Sequence, residues 1–194
     1  MKYLGIAPLV VVILLATSAS AQSDAQKAFE KLKTSDSPLS AFPKLAYGAF
    51  MKTTLLRSAE KMPEEYYNFR PAWVVRSFGQ VIGHVADSQY YFCSRVLGEK
   101  NPAPNIQQTK TSKADLVAAL KDSFAYCDKA YDGMTDASAT QMVKFQGIDL
   151  RKVDVLTANI LHSIEHYGNL VIYMRMKNIV PPSSEQGFMQ QAQK

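Results

Sequence analysis

Residues Leu150–Lys177 read LRKVDVLTANILHSIEHYGNLVIYMRMK. Apolar side chains return at three- and four-residue spacing through this stretch, so it is predicted to be one long helix with a continuous buried face. Asn178 and Pro181-Pro182 stop it. The stretch also carries His162 and His166, two of only three histidines in the chain. A helix turns about 100° per residue, so this pair shares one face, one turn apart. Imidazole is the commonest side-chain ligand for borderline transition metals. An i, i+4 pair supplies two donors, and the third histidine, His84, lies upstream in another apolar helical stretch.

The same periodicity recurs in three earlier segments, and period-2 runs of β-branched residues are missing after the N-terminal segment. A helix is predicted from about Ser40 to Lys61, with Pro43 in its first turn and Met62-Pro63 ending it. An aromatic connection follows (Tyr66, Tyr67, Phe69, Trp73). Ser77-x-x-Gln80 is a capping-box pattern that opens a second helix, and Gly98 closes it after Leu97. Ser112-x-x-Asp115 opens a third, which ends near Gly133. Thr135–Gly147 is polar with no strong helix pattern. Four helices of about twenty residues make an all-α four-helix bundle. The two later connections exceed a tight antiparallel turn, so one is expected to cross over between parallel neighbours.

The chain has 194 residues, enough for one domain with a sizeable core. Met1-Lys2, an apolar run from Tyr3 to Ala16 and the small-x-small site Ala19-Ser20-Ala21 read as a signal peptide over 1–21. The run is too short to favour a bilayer span, so no stable membrane anchor is expected after cleavage. The mature protein is expected to be exported, to a periplasm or the medium. Residues 22–39 form an N-terminal extension, 40–182 the bundle, and 183–194 a polar, flexible tail. The net charge of +5 is scattered singly or in pairs among acids, which gives no stripe for nucleic acid. Cys93 and Cys127 are the only cysteines. In an oxidising compartment they can form one disulfide between neighbouring helices, and as buried thiols they would act as small hydrophobes; spacing does not choose between the two.

Each histidine-bearing face also shows polar groups. Asn169 and Tyr173 lie at +7 and +11 from His162, and Ser88 and Tyr91 at +4 and +7 from His84. These are candidates to orient the imidazoles from behind or to meet a substrate. One buried histidine is ordinarily a hydrogen-bonded core residue. Three in an apolar bundle are harder to satisfy without a metal, because buried donors need partners. Three neutral ligands leave a divalent ion with an open position, the catalytic rather than the closed structural arrangement. Such an ion lowers the pKa of a bound water or takes a substrate thiolate.

His162-Ser-Ile-Glu165-His166 also matches H-x-x-E-H, a metalloprotease signature with glutamate as general base. That motif expects a carboxylate ligand well downstream, and Glu185 is the only acid after His166. Glu165 is offset by about 100° from His166 and reads as a solvated or supporting residue.

Two segments carry a family resemblance: Arg76-Ser-Phe-Gly-Gln-Val-Ile-Gly-His84-Val-Ala-Asp and Leu161-His162-Ser-Ile-Glu-His166-Tyr-Gly-Asn-Leu-Val-Ile-Tyr-Met-Arg175, closed by Pro181-Pro182. Together they resemble the DinB/YfiT-like superfamily of four-helix-bundle metalloproteins over roughly residues 40–182. The resemblance implies up-down-down-up connectivity. It implies a divalent metal (zinc, nickel or iron) on His84, His162 and His166, and a homodimer. Characterised relatives include thiol-S-transferases and a thiol-dependent isomerase. The functional expectation is a metal-dependent enzyme of hydrolase or thiol-transferase type acting on a small molecule. A non-catalytic metal- or ligand-binding bundle is the alternative, and a structural bundle with histidines satisfied in the core is a third.

Overall fold

The computed structural model describes residue 32 and residues 37–185. The signal-peptide reading, most of the extension and the last nine residues of the tail lie outside the described residues. The first rod starts at Pro38, earlier than expected. Helix α1 (Pro38–Leu45) runs into a π-helical segment (Ala46–Lys52) and on into α2 (Thr53–Lys61), all in right-handed helical conformation. Pro43 therefore lies inside the helix rather than in its first turn.

Helix α3 (Phe78–Leu97) has the predicted limits. Ser77 Oγ accepts from the Gln80 N–H, the Gln80 side chain accepts from the Ser77 N–H, and Gly98 closes the helix at φ 74°. A short helix α4 (Ile106–Thr109) follows, then α5 (Lys113–Asp132) behind the Ser112 cap. Next come a single turn α6 (Asp136–Ala139), two strands β1 (Met142–Phe145) and β2 (Ile148–Arg151), and the long α7 (Lys152–Met176).

The hairpin corrects the expectation of no strands. It pairs antiparallel in the register Met142↔Arg151 and Phe145↔Ile148 across a two-residue turn, where Gln146 and Gly147 both take positive φ (50° and 87°). Positive φ at both central residues is the hairpin-favoured primed turn. Leu150 and Arg151 thus belong to β2, and the last helix starts at Lys152.

Residue contacts fix the connectivity. Along the first rod, Tyr47 meets Phe124 and Asp128 while Glu60 pairs with Lys121, so the rod runs antiparallel to α5. Gly79 faces Leu116 and Cys93 joins Cys127, so α3 and α5 are parallel. Arg76 meets Tyr173 and Gln89 meets Asn159, so α3 and α7 are antiparallel. The outer rods run one way and the middle two the other, which is up-down-down-up. The crossover is the connection 98–112, which returns along α3 and carries α4.

Among the described residues, thirty-three apolar side chains form one buried cluster, which leaves the few buried polar groups to set register. Gln89 Nε2 donates to Ser163 Oγ (2.9 Å), Asn159 Nδ2 donates to Gln89 Oε1 (2.9 Å), and Tyr131 Oη donates to the Leu156 carbonyl (2.9 Å). A buried amide that loses its partner costs about 1–3 kcal/mol, so a sliding of α3 on α7 is penalised. That register sets which turn of α7 faces His84.

The expected tail boundary at 182 is passed by ordered chain. Pro182–Ser184 is a 3₁₀ turn, and Glu185 pairs with Lys61 (2.6 Å) and with Arg57. Among the described residues, no helix is long and apolar enough to cross a membrane.

Candidate metal centre

The three imidazoles converge. His84 Nε2 lies 3.2 Å from His162 Nε2, and His166 Nε2 lies 3.1 Å from the same atom. The candidate donor atoms of all three residues fall within 4.8 Å of one another. His84 and His162 are half-buried and His166 is buried. One helix supplies the pair and its antiparallel neighbour supplies the third ring.

These atoms fit a divalent ion. Nitrogens ~2.1 Å from a common ion sit about 3.0–3.4 Å apart at right-angled to tetrahedral angles, and both separations fall in that range. The tautomers make the same point. Each neutral ring has one N–H, yet three Nε2 atoms face one another, and His162 Nδ1 is buried with no partner. One cation among the Nε2 atoms would use all three lone pairs at once.

Burial keeps the rings neutral and ready to ligate. It pushes His84 and His166 down to about 4, the Arg76 charge adding to the effect on both, and it also lowers His162. This has a measurable consequence in metal-free protein. The unfolded chain takes up protons as pH falls through the ordinary histidine value near 6.5, while in the folded chain His84 and His166 do so only near 4. Stability conferred by the neutral rings is therefore complete above about 6.5 and is lost as pH falls below it. The melting temperature of chelator-treated protein should drop between pH 7.5 and 5, before most carboxylates titrate. A flat profile over that window contradicts the assignment.

The expected supporting residues take varied places. Asn169 is exposed, with its Nδ2 3.5 Å from His166 Nδ1, a long contact on the back of that ring. Tyr173 is buried and donates to the Arg76 carbonyl (2.8 Å), so it fastens the loop before α3 rather than a ring. Ser88 Oγ donates to the carbonyl of His84 (2.8 Å), one turn back on its own helix. Tyr91 packs against Phe92 and Phe145, and Phe92 in turn contacts the His162 ring (5.8 Å between centroids). Glu165 is exposed, and the only downstream acid, Glu185, is committed to Arg57 and Lys61. Among the described residues the protease-like motif therefore has no carboxylate ligand.

The support behind His84 comes from residues that the sequence did not mark. The Gln107 side chain lies beside His84 and favours the charged form of its ring, and its Oε1 accepts from Arg76 Nε (3.3 Å). Gln107 is presented by α4, whose first two N–H groups, of Ile106 and Gln107, donate to the Asp87 carboxylate (2.7 and 2.9 Å). The approach is so close that a Cβ on Gly83 would stand 2.7 Å from Gln107 Cα. Only glycine fits there without moving backbone. Asp87 sits at +3 from His84, a faint signal; Gln107 lies in a Pro-flanked connection with no periodicity to mark it. Gly83→Ala should push α4 outward. The expected result is a loss of about 1–3 kcal/mol in stability and weaker metal binding, read by chemical denaturation and by metal titration; unchanged values in both would refute the packing argument.

Comparison with known proteins agrees with this architecture. The family model described as the DinB superfamily matches residues 50–170. YjoA of Bacillus subtilis strain 168, an uncharacterized protein, is 25% identical over 120 residues, which is 60% of this chain and 77% of YjoA. A DinB-like protein from Bacillus cereus ATCC 10987 superposes with a TM-score of 0.64 at 16% identity, over 72% of this chain and 93% of that one. The crystal structure of YjoA gives 0.58 at 21% identity, over 70% and 91%. The bundle, its connectivity and the matched span lead to one conclusion: the chain belongs to the DinB superfamily.

Proposed function

We propose that this protein is a metal-dependent enzyme of hydrolase or thiol-transferase type, acting on a small molecule outside the cytoplasm. The observation that carries the reading is the convergence of three neutral Nε2 donors, at 3.1 and 3.2 Å, in a half-open site. Zinc, nickel and iron(II) all suit imidazole donors. A divalent ion held there would supply Lewis acidity at a position that the protein leaves unfilled. The chain's own residues do the rest. His84, His162 and His166 bind, Gln107 flanks His84, and Phe92 with the hairpin's Phe145 shields one side from water.

The Cys93–Cys127 disulfide supports an oxidising location, as does the leader-like N-terminus. A homodimer is supported by an exposed apolar stripe on α7, formed by Leu161, Ile164, Ile172 and Met176. Light scattering should give twice the chain mass, and substituting Leu161 and Ile172 by lysine should return it to the monomer value.

The enzyme reading is tested on natively exported protein screened for ester hydrolysis and thiol conjugation. Activity should disappear on chelation and return with added metal. Stoichiometric metal with blank screens of both kinds would overturn the enzymatic part.

A further inference from the structure

We propose that Arg76 is the anion-recognising residue of this centre, and that the natural ligand is a small organic acid whose carboxylate is held by the outer edge of the Arg76 guanidinium beside the three imidazoles. This rests on the metal reading and extends it by naming what occupies the mouth of the site.

Arg76 immediately precedes the Ser77 cap of α3 and is exposed. Its carbonyl accepts from Tyr173 Oη (2.8 Å) and its Nε donates to Gln107 Oε1 (3.3 Å). The main chain is thus tied to the helix carrying His162 and His166, and the head group to the residue that flanks His84. Among the described residues, no hydrogen bond or ion pair engages its Nη nitrogens. A guanidinium tethered through Nε, with its Nη atoms unengaged, is pre-organised for a planar partner, and a carboxylate matches its two parallel N–H bonds.

The surrounding charges agree. Arg76 acts on all three rings, whereas Asp87 acts on His84 alone and Glu165 on His162 alone. Both Asp87 oxygens are occupied by the N–H groups of α4, and Glu165 is exposed to solvent. Beyond Gln107 lies a cleft of about 360 Å³ that contains Arg70 and Lys110 and, among the described residues, no acidic lining residue. Three neutral ligands leave the charge of a divalent ion uncompensated, so an anion is favoured at its open side. The loop beside Arg76 is apolar, and Trp73 is 86% exposed with Val74 and Val75 next to it. A rim of that kind suits an organic acid better than an inorganic anion.

The experiment uses the full exported chain loaded with cobalt(II), and benzoate and benzamide as probes, read by calorimetry and by the visible cobalt spectrum. Benzoate should bind and perturb the spectrum, while the isosteric neutral amide should bind at least about tenfold more weakly. Arg76→Gln should weaken benzoate about tenfold or more with cobalt stoichiometry unchanged, and Arg76→Lys should recover only part of the loss. Equal binding of benzoate and benzamide to the unmodified protein, or equal benzoate affinity in Arg76→Gln, overturns the inference and leaves the metal reading standing. Failure to take up cobalt overturns both.

Discussion

His162→Ala should abolish tight binding of one divalent ion per chain and, with it, the thermal stabilisation that metal confers. His162 is the middle ring, and its Nε2 is the atom that both neighbours face, at 3.1 and 3.2 Å. Removing only a group that supports a ligand typically costs about 10–100-fold in metal affinity; removing the central ligand should exceed that. An ion at about a thousand times its dissociation constant stabilises the native state by roughly 4 kcal/mol, and the variant should lose this increment. The metal-free comparison makes the test specific. In that state His162 contributes two nitrogen–nitrogen contacts and a buried Nδ1 without a partner, so alanine should cost far less there. A histidine present only for core packing would show the same loss with or without metal.

The second large effect is expected at the disulfide. Cys93 on α3 and Cys127 on α5 are fully buried, and their Cα atoms are 5.4 Å apart. The cross-link joins residues 34 apart in sequence. In the chain-entropy account a loop of that length contributes about 3–4 kcal/mol. Cys93→Ala with Cys127→Ala should lower stability by that order and the melting temperature by about 10 °C. The bridge lies beside the polar cluster of Gln89 and Asn159, whose Nδ2 is 3.9 Å from each sulfur, so the reduced protein should also hold α3 and α7 less firmly in register. Equal denaturation midpoints with and without reductant would refute a stabilising role.

Much of this architecture was legible because it is written locally. Ser77, Gln80 and Gly98 bracket α3 through hydrogen bonds that span three or four residues. His162 and His166 share a face by helix geometry alone. The bond between the two cysteines was not legible, since sequence spacing carries no Cα distance. The hairpin was hidden for a different reason. Its strands are four residues each and mostly exposed, with an outward-facing pattern broken only by Val143, Phe145 and Leu150. Its turn uses Gln146 in the left-handed region, where asparagine or glycine would have been the signal. The Gly83–Gln107–Asp87 platform was illegible because it joins a helix to a connection about twenty residues away through backbone contact. Arg76 was read as part of a family segment, and its tether to Gln107 exists only in three dimensions.

The three imidazoles are expected to bind one ion together. X-ray absorption of the metal-loaded protein reads the ligands of that ion. Three imidazole nitrogens are expected at about 2.0–2.1 Å, falling to two in His84→Ala. A spectrum without imidazole scattering, or one unchanged by that substitution, would contradict it.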